Sequence, residues 1–286
     1  MRRKTLVLVA LAASVILVLS ACSNDETTDA SPTPAVSTVA QVPADELVRS
    51  GRLVACMDMP YPPMQYFDEQ GDPIGVDVEL LTELSGRLGL EPVFQNSVYD
   101  TIIAALKSGK CDLIWADQLI TPEREAELTM LPYWKSSEVF IVVKGNPEGI
   151  ADPESLCGRS AAGQSGALEI DALEGFSQDC EAAGQEPIDI QQFQKSPDAM
   201  QALQAGHVDV YVASLVTGSY LVDQTGDQFE ISYSFGLTEG NLVGISSMPE
   251  NTGLSSAVDT ALQSMVDDGT YEAILEKYNF SSGSIF

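Results

Sequence analysis

Leu106-Lys-Ser-Gly-Lys-Cys-Asp-Leu-Ile-Trp-Ala-Asp117 is answered later in the chain by Leu203-Gln-Ala-Gly-His-Val-Asp-Val-Tyr-Val-Ala-Ser214. Leucine, glycine, aspartate and alanine recur in the two stretches at one constant offset. Each stretch ends a helix on a glycine, which accepts the left-handed conformation of a closing turn, and then enters a short apolar run that reads as a buried strand. The repeat is either a duplication or the shared demand of a helix–glycine–strand turn. Under both readings the chain holds two lobes of one construction. Asp117 and Ser214 become counterparts, each just past the end of an equivalent strand. Parallel α/β sheets gather ligands at the carboxyl ends of their strands, so both residues are expected to face one cleft.

Outward from this pair, short apolar strands alternate with helices. Strands are expected at 53–57, 92–95, 113–116 and 139–144, with helices over 77–88 and 100–108. A second set follows: strands at 160–163, 188–193 and 208–212, a helix from the Gln164-Ser-Gly166 turn to Ala183, and a helix capped by Ser196 with Pro197 at its first position. A strand at 229–233, a strand at 242–246 and helices over 254–267 and 271–278 complete the pattern. Such alternation predicts an α/β fold with a mostly parallel sheet in each lobe. The expected layout is a first lobe over 48–140, a second over 141–239, a return to the first over 240–280 and a tail at 281–286. Two crossing strands near 138–144 and 234–242 would form the hinge.

Beyond Asp117 the chain runs Gln-Leu-Ile-Thr-Pro-Glu-Arg124. Thr121 suits a helix N-cap, and Pro122 suits the first helical position, where its missing N–H would have been unpaired anyway. Arg124 then falls in the first helical turn, where the macrodipole disfavours a cation by roughly a few tenths of a kcal/mol. It needs a partner. Glu123 or Glu127 is one candidate; a ligand carboxylate gripped by the planar guanidinium is the other.

The N-terminus reads as an export signal over 1–21: Arg2, Arg3 and Lys4, then an apolar run from Leu6 to Leu19. Leu19-Ser-Ala-Cys22 resembles a lipoprotein cleavage site, with Cys22 as the lipidated residue. Residues 22–47 are Ser, Thr, Pro and acid without apolar periodicity, the composition of a disordered tether spanning roughly 25–30 Å. The chain carries 42 Asp+Glu against 14 Lys+Arg, and removal of the signal takes three of those cations and no acid. That surface repels phosphate backbones and anionic lipid, so nucleic-acid binding is excluded and the lipid must hold the protein at the membrane.

Export permits disulfides. Cys157 precedes one expected strand and Cys180 ends the helix after it, a local loop that a Cys157–Cys180 bond would close. Cys56 and Cys111 lie in or beside strands and read as small buried hydrophobes, their redox state left open. No spacing resembles a zinc site, His207 is the sole histidine, and neither metal nor cofactor is expected.

The body from about 48 to 280 resembles the family-3 extracellular solute-binding proteins, the polar-amino-acid receptors of ABC importers. The motifs are Tyr61-Pro-Pro-Met, Gly75-Val-Asp-Val-Glu-Leu, Ile103-Ala-Ala-Leu-Lys-Ser-Gly-Lys-Cys-Asp112, Ile120-Thr-Pro-Glu-Arg124, Lys144-Gly-Asn-Pro147 and Asp268-Gly-Thr-Tyr-Glu-Ala-Ile-Leu275. The resemblance implies a two-lobed periplasmic-binding-protein fold of type II that closes on one small solute. It also implies a monomer, delivery to ABC permease subunits, and no chemistry of the protein's own. Arg124 matches the arginine that holds the ligand α-carboxylate, Tyr61 and Tyr99 match aromatics packing on the ligand, and Asp58 matches an acid that in some members meets a cationic side chain. Asp58 could equally cap its Pro-rich loop.

Three departures stand out. Leu119 replaces a usual hydroxyl. Gly166 is followed by Ala167 and Leu168 instead of hydroxyl residues, leaving backbone donors at the helix start. Ser214 replaces the second-lobe aspartate that takes the ligand ammonium, while Asp117 stands where a small residue or serine is common. The expectation is that the ammonium anchor has moved to Asp117, with Ser214 giving a neutral hydrogen bond; the alternative is that Asp117 pairs with Arg124 or points to solvent. Two other functions fit the same fold: a dehydratase acting through an acid pair such as Asp58 and Asp117, and a ligand sensor for a membrane partner.

Overall fold

A computed structural model describes residues 38–226 and 228–286. The expected signal segment, Cys22 and most of the expected tether lie outside them. β1 (Arg52–Met57) sends Leu53, Ala55 and Met57 into one apolar cluster and Val54 and Cys56 into another on the opposite face. That is the period-two alternation of a strand covered on both sides. Two two-residue strands, β2 (Tyr66–Phe67) and β3 (Pro73–Ile74), lead into α1 (Val76–Arg87). β4 (Glu91–Asn96), α2 (Ile102–Lys107), β5 (Leu113–Leu119), the single turn α3 (Pro122–Glu125) and β6 (Thr129–Lys135) follow.

The chain then crosses to the second lobe. β7 (Glu138–Val143), β8 (Ser160–Gln164), α4 (Leu168–Ala182), β9 (Asp189–Phe193), α5 (Ser196–Gln204), β10 (Val210–Ser214), α6 (Leu215–Thr225) and β11 (Phe229–Phe235) build it. β12 (Leu242–Ser247), α7 (Thr252–Asp267) and α8 (Thr270–Lys277) return to the first lobe. The first sheet runs β4-β1-β5-β12-β6 and the second β9-β8-β10-β7-β11. In each, three parallel strands are followed by an antiparallel one, β12 or β7. The lobes are the same sheet built twice.

The repeat has a physical cause. Asp112 accepts the backbone N–H groups of Val48 and Val54, both at 2.7 Å. Asp209 accepts the N–H of Ser160 at 2.9 Å and its hydroxyl at 2.8 Å. Each aspartate therefore ties the strand it precedes to the neighbouring parallel strand. The crossings fall at Ser136–Ser137 and 236–241, where Ser136 N–H donates to the Asn241 carbonyl at 2.9 Å and the Ser137 and Ser234 hydroxyls meet at 3.2 Å. All of β7 lies in the second sheet, so the first crossing precedes the boundary expected at 140.

Several expectations change. β6 was not expected, because Pro132 interrupts its pattern; it is an edge strand paired only with β12, where a missing N–H is tolerated. α6 was not expected either. Its β-branched run with Gly218 packs against β7, where a Cβ on Gly218 would lie 2.7 Å from a Val139 methyl. Ser196 does not cap α5; its hydroxyl bonds the buried Tyr211 hydroxyl instead. Residues 38–47 are packed, not free tether: Val39 N–H donates to the Arg87 carbonyl, and Glu46 accepts the N–H groups of Gly253 and Leu254 at the start of α7. The tail also packs, with Gly283 buried against Trp134.

Cys157 and Cys180 are bonded, as expected, and so are Cys56 and Cys111, with Cα atoms 5.6 Å apart. Cys56 points to the same face of the first sheet as Cys111, so the two are bonded as well as buried. Closing loops of sequence separation 55 and 23 corresponds to roughly 4 and 3.5 kcal/mol of denatured-state entropy. Replacing Cys56 and Cys111 together by serine is expected to lower the urea unfolding free energy by about 3–4 kcal/mol. A loss under about 1 kcal/mol would mean the bond does not constrain the unfolded chain.

Candidate functional site

Asp117 is not past the end of its strand but inside it. β12 pairs Gly244 with Gln118 and Ser246 with Ile114, so Trp115, Ala116 and Asp117 bulge opposite the single residue Ile245. Asp117 adopts φ 51°, left-handed backbone that costs a non-glycine residue about 1 kcal/mol. The bulge turns its carboxylate into the cleft between the lobes. There it lines a cavity with Asp58, Tyr61, Tyr99, Leu119, Arg124 and Ser214.

Thr121 caps α3 by accepting the Arg124 N–H at 3.2 Å, and Pro122 holds the first position, as the sequence implies. The turn returns the guanidinium toward the strand it left, where Nη1 donates to the Leu119 carbonyl at 2.7 Å. Among the described residues no carboxylate lies within ion-pair distance of Arg124. Glu127 pairs with Lys107 instead. Leu119 gives its carbonyl to Arg124 while its side chain joins the core of the first lobe.

The lobes touch across the cavity. The Tyr61 and Ser214 hydroxyls are 2.7 Å apart, and Gln164 Nε2 donates to Asp58 Oδ2. Gly166 does not line the cavity. With φ 79° it sits at the lobe contact, where a Cβ would come 2.7 Å from the Asp100 Cα, so its part is close approach. Four polar lining residues were not anticipated: Gln65, Gln164, Glu138 and Glu169. Glu169 left a readable trace, because it stands one turn before Leu173 on the buried stripe of α4 with Ile170. Glu138 heads an apolar run, a position where a glutamate ordinarily faces solvent.

The electrostatics are lopsided. Burial pushes the Asp58 carboxyl up to about 6, against the opposing pull of Gln164 and Lys195. Burial also pushes Asp117 up to about 6, offset by the Ser214 and Tyr61 hydroxyls, and its Oδ1 has no partner. Asp117 neither pairs with Arg124 nor points to open solvent. Glu169 is pushed up to about 7 by burial, opposed by its own N–H and by Glu138. Glu138 rises well above the carboxylate range through burial and the charges of Glu169 and Asp117. Burial pushes the Tyr99 hydroxyl up to about 12, with the Arg124 charge opposing. The cavity thus gathers Asp58, Asp117, Glu138 and Glu169 around one guanidinium. Among the described residues no cluster suited to a metal ion occurs.

Residues 53–282 match the model of the bacterial extracellular solute-binding proteins, family 3. The chain belongs to this family. The arginine-binding protein ArgT of Corynebacterium glutamicum is 26% identical over 253 residues, covering 88% of this chain and 82% of that protein. The L-cystine-binding protein TcyJ of Escherichia coli is 26% identical over 230 residues, covering 80% of this chain and 82% of its own length. Among solved structures, an ancestral arginine-binding protein bound to arginine superposes with a TM-score of 0.73 at 29% identity, covering 80% of this chain and 98% of that one. The fold is the two-lobed periplasmic-binding-protein fold.

The raised carboxyls of this family-3 protein set a pH dependence. Asp58, Asp117 and Glu169 hold protons in the folded chain that the unfolded chain sheds near pH 4. Their contribution to stability is therefore fully present below about pH 4 and is lost as pH rises through 6 to 7. Asp117→Asn is expected to stabilise the solute-free protein by about 1–3 kcal/mol at about pH 7.5 and to change little at about pH 4.5, measured by urea unfolding. Destabilisation at the higher pH would contradict this account of the carboxylate.

Proposed function

We propose that the protein is the substrate-binding lipoprotein of an ABC importer. It captures a small solute bearing a carboxylate and an amine between its lobes and delivers it to membrane permease subunits. The observation that carries this reading is Arg124: a guanidinium in the cleft, oriented by the Leu119 carbonyl and free of any protein carboxylate among the described residues. Such a group matches a solute carboxylate in a bidentate pair. Tyr61 and Tyr99 flank the same space, Asp117 supplies the charge for the amine, and Ser214 adds a neutral hydrogen bond. Cys22 would carry the lipid at the extracytoplasmic face of the membrane, and the protein acts as a monomer.

Closure follows from the two crossings. In the present arrangement the enclosed space is about 20 Å³, room for about one water. Admitting a solute of amino-acid size requires the lobes to part about Ser136–Ser137 and 236–241, breaking the Tyr61–Ser214 and Asp58–Gln164 contacts that join them. Those contacts reform around or beside the solute. The ligands for which the relatives are named, arginine and L-cystine, are amino acids, which supports the solute class without choosing its member.

A second reading is enzymatic. An ancestral amino acid-binding protein described as a precursor of cyclohexadienyl dehydratase superposes with a TM-score of 0.70 at 26% identity. Carboxyls near 6 to 7 in a cleft also suit general acids. Turnover of prephenate or arogenate would establish it.

A thermal-shift screen over amino acids, opines, betaines and polyamines tests the receptor reading. A true solute at about 100 times its Kd stabilises by roughly 2.7 kcal/mol. Arg124→Met is expected to weaken its binding by about 100-fold, and Asp117→Asn by about 30-fold, with Ser214→Ala costing under about fivefold. A panel without any hit, or an Arg124 variant that binds normally, would sink the reading. Equal, small effects at Asp117 and Ser214 would sink the amine assignment alone.

A further inference from the structure

Glu138 opens β7 immediately after the crossing at Ser136–Ser137. It is 3% exposed, and its Oε2 has no hydrogen-bond partner. Ser214 lies directly opposite it in the β7–β10 pair, so the two side chains share one face of the second sheet. Glu169, 9% exposed in the first turn of α4, lines the same cavity. Groups facing this pair from the other packed elements are Asp117, Arg124, Tyr61, Tyr99 and Tyr211. Only Arg124 among them is cationic, and it is already directed at the Leu119 carbonyl.

A neutral zwitterion would leave this corner unanswered. Its carboxylate meets Arg124, and its ammonium, with three N–H donors at most, is taken by Asp117 and Ser214. Oε2 of Glu138 would stay buried without a donor, beside a second carboxyl. A buried acid pair in that position either shares a proton or receives a cation. We propose that Glu138 and Glu169 form a second-lobe anion site for a cationic side chain of the solute, so that the cleft selects solutes with two cationic centres and one carboxylate over neutral zwitterions. The inference rests on the receptor reading above. Binding such a solute replaces the proton shared by the pair, and that proton passes to the buffer.

Isothermal titration of the full chain with L-arginine, L-lysine and L-citrulline tests it, because citrulline keeps the shape of arginine and lacks its charge. At about pH 7.5, arginine or lysine is expected to bind at least about tenfold tighter than citrulline. The heat of binding should vary with the ionisation enthalpy of the buffer for the cationic solutes and not for citrulline. The preference should shrink toward about pH 5.5, where the pair is protonated. Glu138→Gln, with folding verified by its thermal melt, is expected to cut the arginine-to-citrulline ratio to under about threefold. The wild-type comparison decides the matter if that variant does not fold. Equal binding of arginine and citrulline, or binding of neutral amino acids only, overturns the inference and leaves the receptor reading standing. If no amino acid binds, both fall.

Discussion

Each lobe depends on one aspartate that holds a backbone N–H of the strand beside it, together with the Val48 N–H just before that strand in one lobe and a hydroxyl of that strand in the other. Asp112 fixes β5 against β1 through Val54, and Asp209 fixes β10 against β8 through Ser160. The parallel register that follows is what brings Asp117 and Ser214, each five residues further on, to the same end of their sheets. Charge-assisted hydrogen bonds to buried backbone are among the stronger terms available to a fold, and here they are spent at the entrance to the site strands. The cleft inherits its geometry from them.

That register was readable because both aspartates follow a helix-ending glycine at one spacing. Thr121 and Pro122 were readable for a similar reason, since capping chemistry is local. What escaped was what depends on distant partners. β6 is a strand because β12 lies beside it, and Pro132 hides it from any reading of periodicity. The bulge that turns Asp117 inward exists because β12 has fewer residues to offer than β5. Cys56 and Cys111 look like buried hydrophobes until the sheet places their Cα atoms 5.6 Å apart. Glu138 is a single acid before an apolar run, and nothing in its neighbours says that the second sheet buries it.

The site itself was half legible. Asp58, Tyr61, Tyr99, Asp117, Leu119, Arg124 and Ser214 converge on one cavity, while Gly166 serves the lobe contact instead. The internal repeat supplied Asp117 and Ser214, the helix start supplied Arg124, and the resemblance supplied the rest. It also pointed away from Glu138 and Glu169, because neither lies in a motif that carries the family likeness. Burial is what marks them, and a sequence states burial only where periodicity is strong.

Loss of the acid at Ser214 therefore has a different meaning in the folded molecule than in the sequence. Ser214 and Glu138 are opposite each other on adjacent antiparallel strands, with side chains on one face. An acid absent from one strand is present on its neighbour, and the second lobe keeps its negative charge at nearly the same place. Asp117 then adds a charge in the first lobe, the one assigned above to the amine. If the lobes close on a solute as proposed, closure brings these charges together, and their mutual repulsion opposes it until a cation lies between them. A neutral closed cleft requires protons on the acids, so solute and proton compete for one site. On that proposal, the same carboxyls that make the solute-free protein less stable near neutral pH would also make closure conditional on what the cleft contains.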